Sequence, residues 1–67
     1  MYEVKFSEDI NPRFIDVFNL NGKLLIRREI SNISNSIKLN LDFIKQGEYI
    51  LKVIADEGIF SQKFVLQ

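Results

Sequence analysis

Hydrophobic and polar residues alternate along almost the whole chain, and short polar clusters mark where the alternation stops. Tyr2, Val4 and Phe6 alternate with Glu3 and Lys5, which predicts a strand with one wet face. Ser7–Glu8–Asp9 and then Asn11–Pro12 mark a turn, because proline fixes its own φ and holds Asn11 extended. Residues 13–20 predict a second strand. Ile15 and Val17 lie on one of its faces, Phe14, Asp16 and Phe18 on the other, and bulk on both faces predicts a central position. Asn19–Leu20–Asn21–Gly22–Lys23 is the sharpest local signal. Asn21–Gly22 offers two residues that tolerate positive φ, as a tight hairpin turn requires. Residues 23–30 predict a third strand, with Leu24, Ile26, Arg28 and Ile30 set against Leu25, Arg27 and Glu29.

The Ser/Asn-rich stretch Ser31–Asn32–Ile33–Ser34–Asn35 predicts a surface loop. A fourth strand follows over residues 36–41, with Ile37, Leu39 and Leu41 inward. Residues 42–47 are too few for a helix and predict a single turn, with Phe43 or Ile44 closing the end of the core. A fifth strand, 48–55, sets Tyr49, Leu51, Val53 and Ala55 against Ile50, Lys52 and Ile54. Asp56–Glu57–Gly58 predicts a hairpin connection into a sixth strand, 59–66. No window carries helical spacing. Short strands at regular intervals predict an all-β fold, a small antiparallel Ig-like sandwich of six or seven strands. The inward set Val17, Ile26, Leu39, Leu41, Tyr49, Leu51 and Val53 forms the expected core.

Composition narrows this little further. Sixty-seven residues make one domain. A chain of that size buries only about 60% of its unfolded surface. There is no Cys, His or Trp, so the apolar core must supply nearly all the stability. Nine basic residues balance nine acidic ones. That argues against a nucleic-acid or anionic-membrane binder, which needs a basic face. The apolar runs are too short to span a membrane as a helix. Met1–Tyr2–Glu3–Val4–Lys5 carries no apolar signal segment, which fits a cytosolic protein or a piece of a longer secreted chain.

Little in the chain suggests chemistry. Without His or Cys, nucleophilic and acid–base options shrink to carboxylates, Lys, Tyr and Ser, so no enzyme is expected and no cofactor or metal is assigned. Asp16 is the only acid inside an apolar strand. It is either a buried acid or metal ligand or, as we read it, a solvated residue on a partly exposed face. Asp56 and Glu57 are read as turn residues rather than calcium ligands, because that ion wants six or more oxygens. Phe14, Phe18, Tyr49, Phe60 and Phe64 are read as packing groups, since stacking on bases needs interleaved positive charge. Asn32–Ile33–Ser34 matches the N-glycosylation pattern.

Three blocks in order carry a resemblance. The first is Asp16–Val17–Phe18–Asn19–Leu20–Asn21–Gly22–Lys23–Leu24–Leu25. The second is Ile44–Lys45–Gln46–Gly47–Glu48–Tyr49–Ile50–Leu51–Lys52–Val53. The third is the terminal Lys63–Phe64–Val65–Leu66–Gln67. Together they resemble the type A C-terminal sorting domain of the Bacteroidetes type IX secretion system. The resemblance covers residues 14–67. The family's opening Tyr–Pro–Asn–Pro motif is reduced here to Asn11–Pro12, which points to a trimmed opening strand or to a relative of the family. The resemblance implies one Ig-like sorting domain over residues 1–67. Such a domain directs an upstream cargo protein through the periplasm and across the outer membrane, to the cell surface or the medium. The implied partners are the outer-membrane secretion machinery and the cargo in the same chain. Candidate recognition residues are Lys63, Phe64, Val65, Gly22 and Gly47, with Lys63 foremost because structure does not obviously require it. The alternative is a small secreted Ig-like module that binds a protein or glycan, or acts as a spacer. The apolar sixth strand and an unpaired sheet edge also predict a strand-exchanged homo-oligomer.

Overall fold

All six period-two segments form strands: β1 (Tyr2–Lys5), β2 (Pro12–Phe18), β3 (Leu24–Glu29), β4 (Ser36–Leu39), β5 (Gly47–Ala55) and β6 (Gly58–Leu66). The structure is a computed structural model and describes residues 2–31 and 35–67. The Asn32–Ile33–Ser34 sequon lies outside the described residues. β3, β2, β5 and β6 form one antiparallel sheet in that order, and β1 and β4 form a second. This order is that of an Ig sandwich with the C′-C-F-G strands on one side and the B-E pair on the other. The expected small all-β sandwich is what forms.

The core lies between the sheets. Ile15 and Val17 of β2 are fully buried, and Leu39 of β4 is 1% exposed. Val4, Leu41, Tyr49, Leu51, Val53 and Phe64 complete the buried cluster. Alternation explains the selection, because every second residue of β2, β5 and β1 faces the other sheet. Ile26 is only half-buried, contrary to expectation. β3 is an edge strand with a neighbour on one side only, and a bulge at Val17/Phe18 shifts its register there. Tyr49 faces inward and donates its hydroxyl hydrogen bond to the Lys45 carbonyl. That bond ties the turn before β5 to β5 itself, so Ile44 packs against the core while Phe43 stays 67% exposed.

Asp16 corrects the sequence reading. It is 1% exposed, not solvated. It lies on the outer face of the four-stranded sheet, one position from Ile15 and Val17. Its cross-strand neighbours there are Arg27 and Lys52. The Arg27 guanidinium donates to both carboxylate oxygens at 2.8 and 2.7 Å, and the same guanidinium lies 5.4 Å from the Phe14 ring centre. Lys52 Nζ sits 5.1 Å from the Phe18 ring centre. Flanking side chains thus roof a carboxylate whose charge is matched by a bidentate arginine. Composition cannot reveal this, because it depends on which residue of β3 pairs with Asp16.

Two turns also differ in detail from their expected forms. Only Gly22 has positive φ (87°) in the β2–β3 hairpin, so Asn21 does not take the second positive-φ place. Gly22 N–H instead donates to Asn19 O at 3.0 Å, closing a turn over Leu20 and Asn21. Asn19 Oδ1 accepts from Asn21 and Lys23 N–H groups at 2.9 Å each. The asparagine side chain therefore does much of the work expected of the Asn–Gly pair. At the other end of the sheet, Asp56 and Glu57 do more than turn. Asp56 takes two hydrogen bonds from Arg13 at 2.8 and 2.7 Å. Glu57 accepts from the Asn11 backbone N–H at 2.7 Å and from its side-chain amide at 2.9 Å. Together they moor the β5–β6 hairpin to the entry of β2.

Three outcomes follow for stability. Leu51→Ala is expected to lower stability by about 2–5 kcal/mol, read as a drop in urea midpoint; an unchanged midpoint would mean the inward face of β5 is not the core. Arg27→Met leaves Asp16 buried without its partner, whereas Asp16→Asn frees an arginine that is half in water already. The first should lower the urea midpoint clearly more than the second; equal shifts in paired denaturation curves would contradict this asymmetry. Hydrogen bonds from Arg13 hold Asp56 below its ordinary pKa of 3.8, and the Asn11 backbone N–H holds Glu57 below 4.5. Carboxyls with depressed folded-state values add stability that is present above their unfolded values and lost as pH falls through the folded ones. Stability should therefore fall on the acid side of pH 4.5. An Asp56→Asn, Glu57→Gln double variant should show a shallower acid limb; an identical one would mean the moorings add nothing.

Candidate recognition surface

Antiparallel pairing gathers the three sequence blocks at one end of the four-stranded sheet. Phe18, the last residue of β2, pairs with Leu24 and with Ile50. Ile50 pairs with Lys63, and Gly47 pairs with Leu66. The Asn19–Lys23 hairpin, the start of β5 and the end of β6 therefore meet, although they are far apart in sequence.

The five candidate residues play different parts there. Lys63 projects from the outer face with its side chain 58% exposed, and its Nζ lies 3.1 Å from Glu48 Oε1 on the adjacent strand. Val65, two residues on, shares that face and is 55% exposed. Phe64 lies between them and points the other way. It is 7% exposed, with its ring centre 4.8 Å from Tyr2 and 5.9 Å from Tyr49. A partner cannot touch Phe64 while the sandwich is closed. It pins the terminal strand to the core, as its place in a period-two strand dictates. Gly22 and Gly47 are backbone positions. Gly47 has φ 153°, and a Cβ there would meet only Tyr49 Cε2 at 3.9 Å, so conformation rather than space calls for glycine.

Beside these residues lies an open hollow of about 430 Å³. The end of β6, Tyr2 and the turn after β4 line it. Leu41, Ile44 and Leu66 give it an apolar floor, and Asp42 and Gln46 a polar rim. The sequence reading missed two contributors to this end of the molecule. Tyr2 comes from the other sheet to stack on Phe64. Glu48 holds Lys63 in place. The alternation of β5 puts Glu48 and Ile50 on the outer face, but the pairing with Lys63 becomes visible only once the β5–β6 register is known.

Among the described residues, no three Asp or Glu side chains gather as metal ligands. The adjacent acids Asp56 and Glu57 are committed to Arg13 and Asn11. Among the described residues, no helix is long and apolar enough to cross a membrane. The chemistry on offer at this end is exposed lysine ammonium groups, Lys63 among them, apolar side chains on both sides of the last strand, and an apolar hollow with polar edges. Such a surface suits recognition by another protein.

No curated protein and no solved structure matches the chain. The family described as "Secretion system C-terminal sorting domain" matches over residues 1–67. That match spans all three blocks and both sheets. On this evidence the chain belongs to the family of secretion system C-terminal sorting domains, the sorting signals of type IX secretion.

Proposed function

We propose that the end of the sandwich built from the three blocks is the part that the outer-membrane secretion machinery reads, and that the cargo it sorts lies upstream in the same natural chain. The cargo then passes through the periplasm and emerges at the cell surface or in the medium. The observation that carries this reading is the convergence of Gly22, Gly47 and residues 63–65 at one end of the sheet. Gly22 and Gly47 shape the backbone there, and Phe64 anchors the last strand. That leaves Lys63 and Val65 as the side chains a partner meets. Lys63 is the foremost of these, because its exposed pair with Glu48 contributes little to stability.

Placed at the C-terminus of a periplasm-directed reporter in a Bacteroidetes host, residues 1–67 with their native upstream residues should carry the reporter to the surface or the medium. Gly47→Val should abolish export together with folding. Lys63→Ala should abolish export while the domain keeps its circular dichroism and melting temperature. Glu48→Gln keeps the ammonium but removes its partner, and should still export. A reporter that stays in the periplasm while an established tag exports it would overturn the sorting role. The Ig-like interaction module would then take its place.

A further inference from the structure

We infer that β6 is a docking edge for a second copy of this chain, the two β6 strands pairing antiparallel about Gln62 to join the four-stranded sheets into one of eight. The described strands leave four edges, at β1, β4, β3 and β6, and the others are short or charged. β1 carries Glu3 and Lys5 within four residues, β4 has four residues including Lys38, and β3 carries Arg27, Arg28 and Glu29 within six. Charges and short length are the usual guards of an open edge. β6 has neither. It runs for nine residues with Lys63 as its only charge, about 30 Å of backbone. Lys63 is already held by Glu48 on its own sheet and does not project along the edge.

The occupant follows from register. Pairing about Gln62 sets Ile59 opposite Val65 of the second copy at both ends. These two residues are among the most exposed apolar side chains on the described surface, at 65% and 55%. The same register sets Lys63 opposite Ser61, and Phe60, 46% exposed, opposite Phe64, whose own ring stays in the core at 7% exposed. Pairing about Lys63 would face two ammonium groups across the strands. Pairing about Ser61 would face Ile59 with Lys63. A one-residue slip would mix the two faces. Of these registers, only the Gln62 one sets the exposed Ile59 and Val65 against each other at both ends. The chain has no net charge, so two copies approach without long-range repulsion. β6 stays paired with β5 of its own chain along its full length. Pairing at the free edge thus needs no opening of the sandwich, unlike strand exchange.

Sedimentation velocity on the 67-residue chain, taken up to about 1 mM, should show a reversible dimer. Ile59→Lys and Val65→Glu each place an unpaired charge in the new ladder. Each should weaken association at least about tenfold, with circular dichroism and melting unchanged. An equimolar mixture of the two variants sets the new charges opposite each other at one end and leaves a native Ile–Val pair at the other, so the dimer should return. A wild-type chain that stays monomeric throughout, single variants that dimerise as well as wild type, or a mixture that stays monomeric would each overturn the inference.

Discussion

The pairing of β2 with β5 is the interaction on which everything else in this fold rests. Its register sets Ile15 against Val53 and Val17 against Leu51 on the inner face, and Asp16 against Lys52 on the outer. Both strands are interior, so every other strand of the larger sheet is hung on one of them: β3 on β2, and β6 on β5. The two-stranded sheet can seal the core only because these four apolar residues present a continuous inner face. A slip of one residue by either strand would turn that strand's share of the face to solvent and bring its outer residue, Asp16 or Lys52, between the sheets. The Arg27–Asp16 pair on the outer face fixes the neighbouring β2–β3 register, since its two-point geometry is satisfied in one alignment.

Alternation also separates duties within the terminal motif. Lys63 and Val65 face outward, while Phe64 faces the core and stacks on Tyr2. A short run of residues can thus meet a structural demand on one side of a strand and leave exposed side chains on the other. The same division holds in the second block. Tyr49 turns inward and clips its own approach loop, while Glu48 and Ile50 face out beside Lys63. A substitution in these motifs therefore acts through folding or through contact according to the parity of its position.

Much of this was legible in the chain. Period-two spacing identified all six strands and most of the core, because the side-chain repeat of a strand is written directly in the sequence. The central place of β2 followed from bulk on both its faces. What spacing could not give was anything set by which strand lies next to which. Asp16 looked like a solvated acid until β3 placed Arg27 across from it. Ile26 looked like core until β3 proved to be an edge. Asp56 and Glu57 looked like simple turn residues until the fold brought Arg13 and Asn11 alongside. At the proposed recognition surface, the blocks were visible as strings, but their meeting at one end of a sheet depended on two long-range registers.

Native-state hydrogen exchange tests the central claim most directly. Interior amides of β2 and β5 are paired on one side or the other by neighbouring strands, so they should open only when the whole domain unfolds. The slowest-exchanging amides should lie at Ile15, Val17, Leu51 and Val53 and their strand neighbours, with protection equal to the global stability measured by urea. β1, β4 and the outer half of β6 should exchange faster. If the slowest amides instead fall in β1 and β4, or in β6 while β2 exchanges quickly, the β2–β5 pairing is not what holds this fold together.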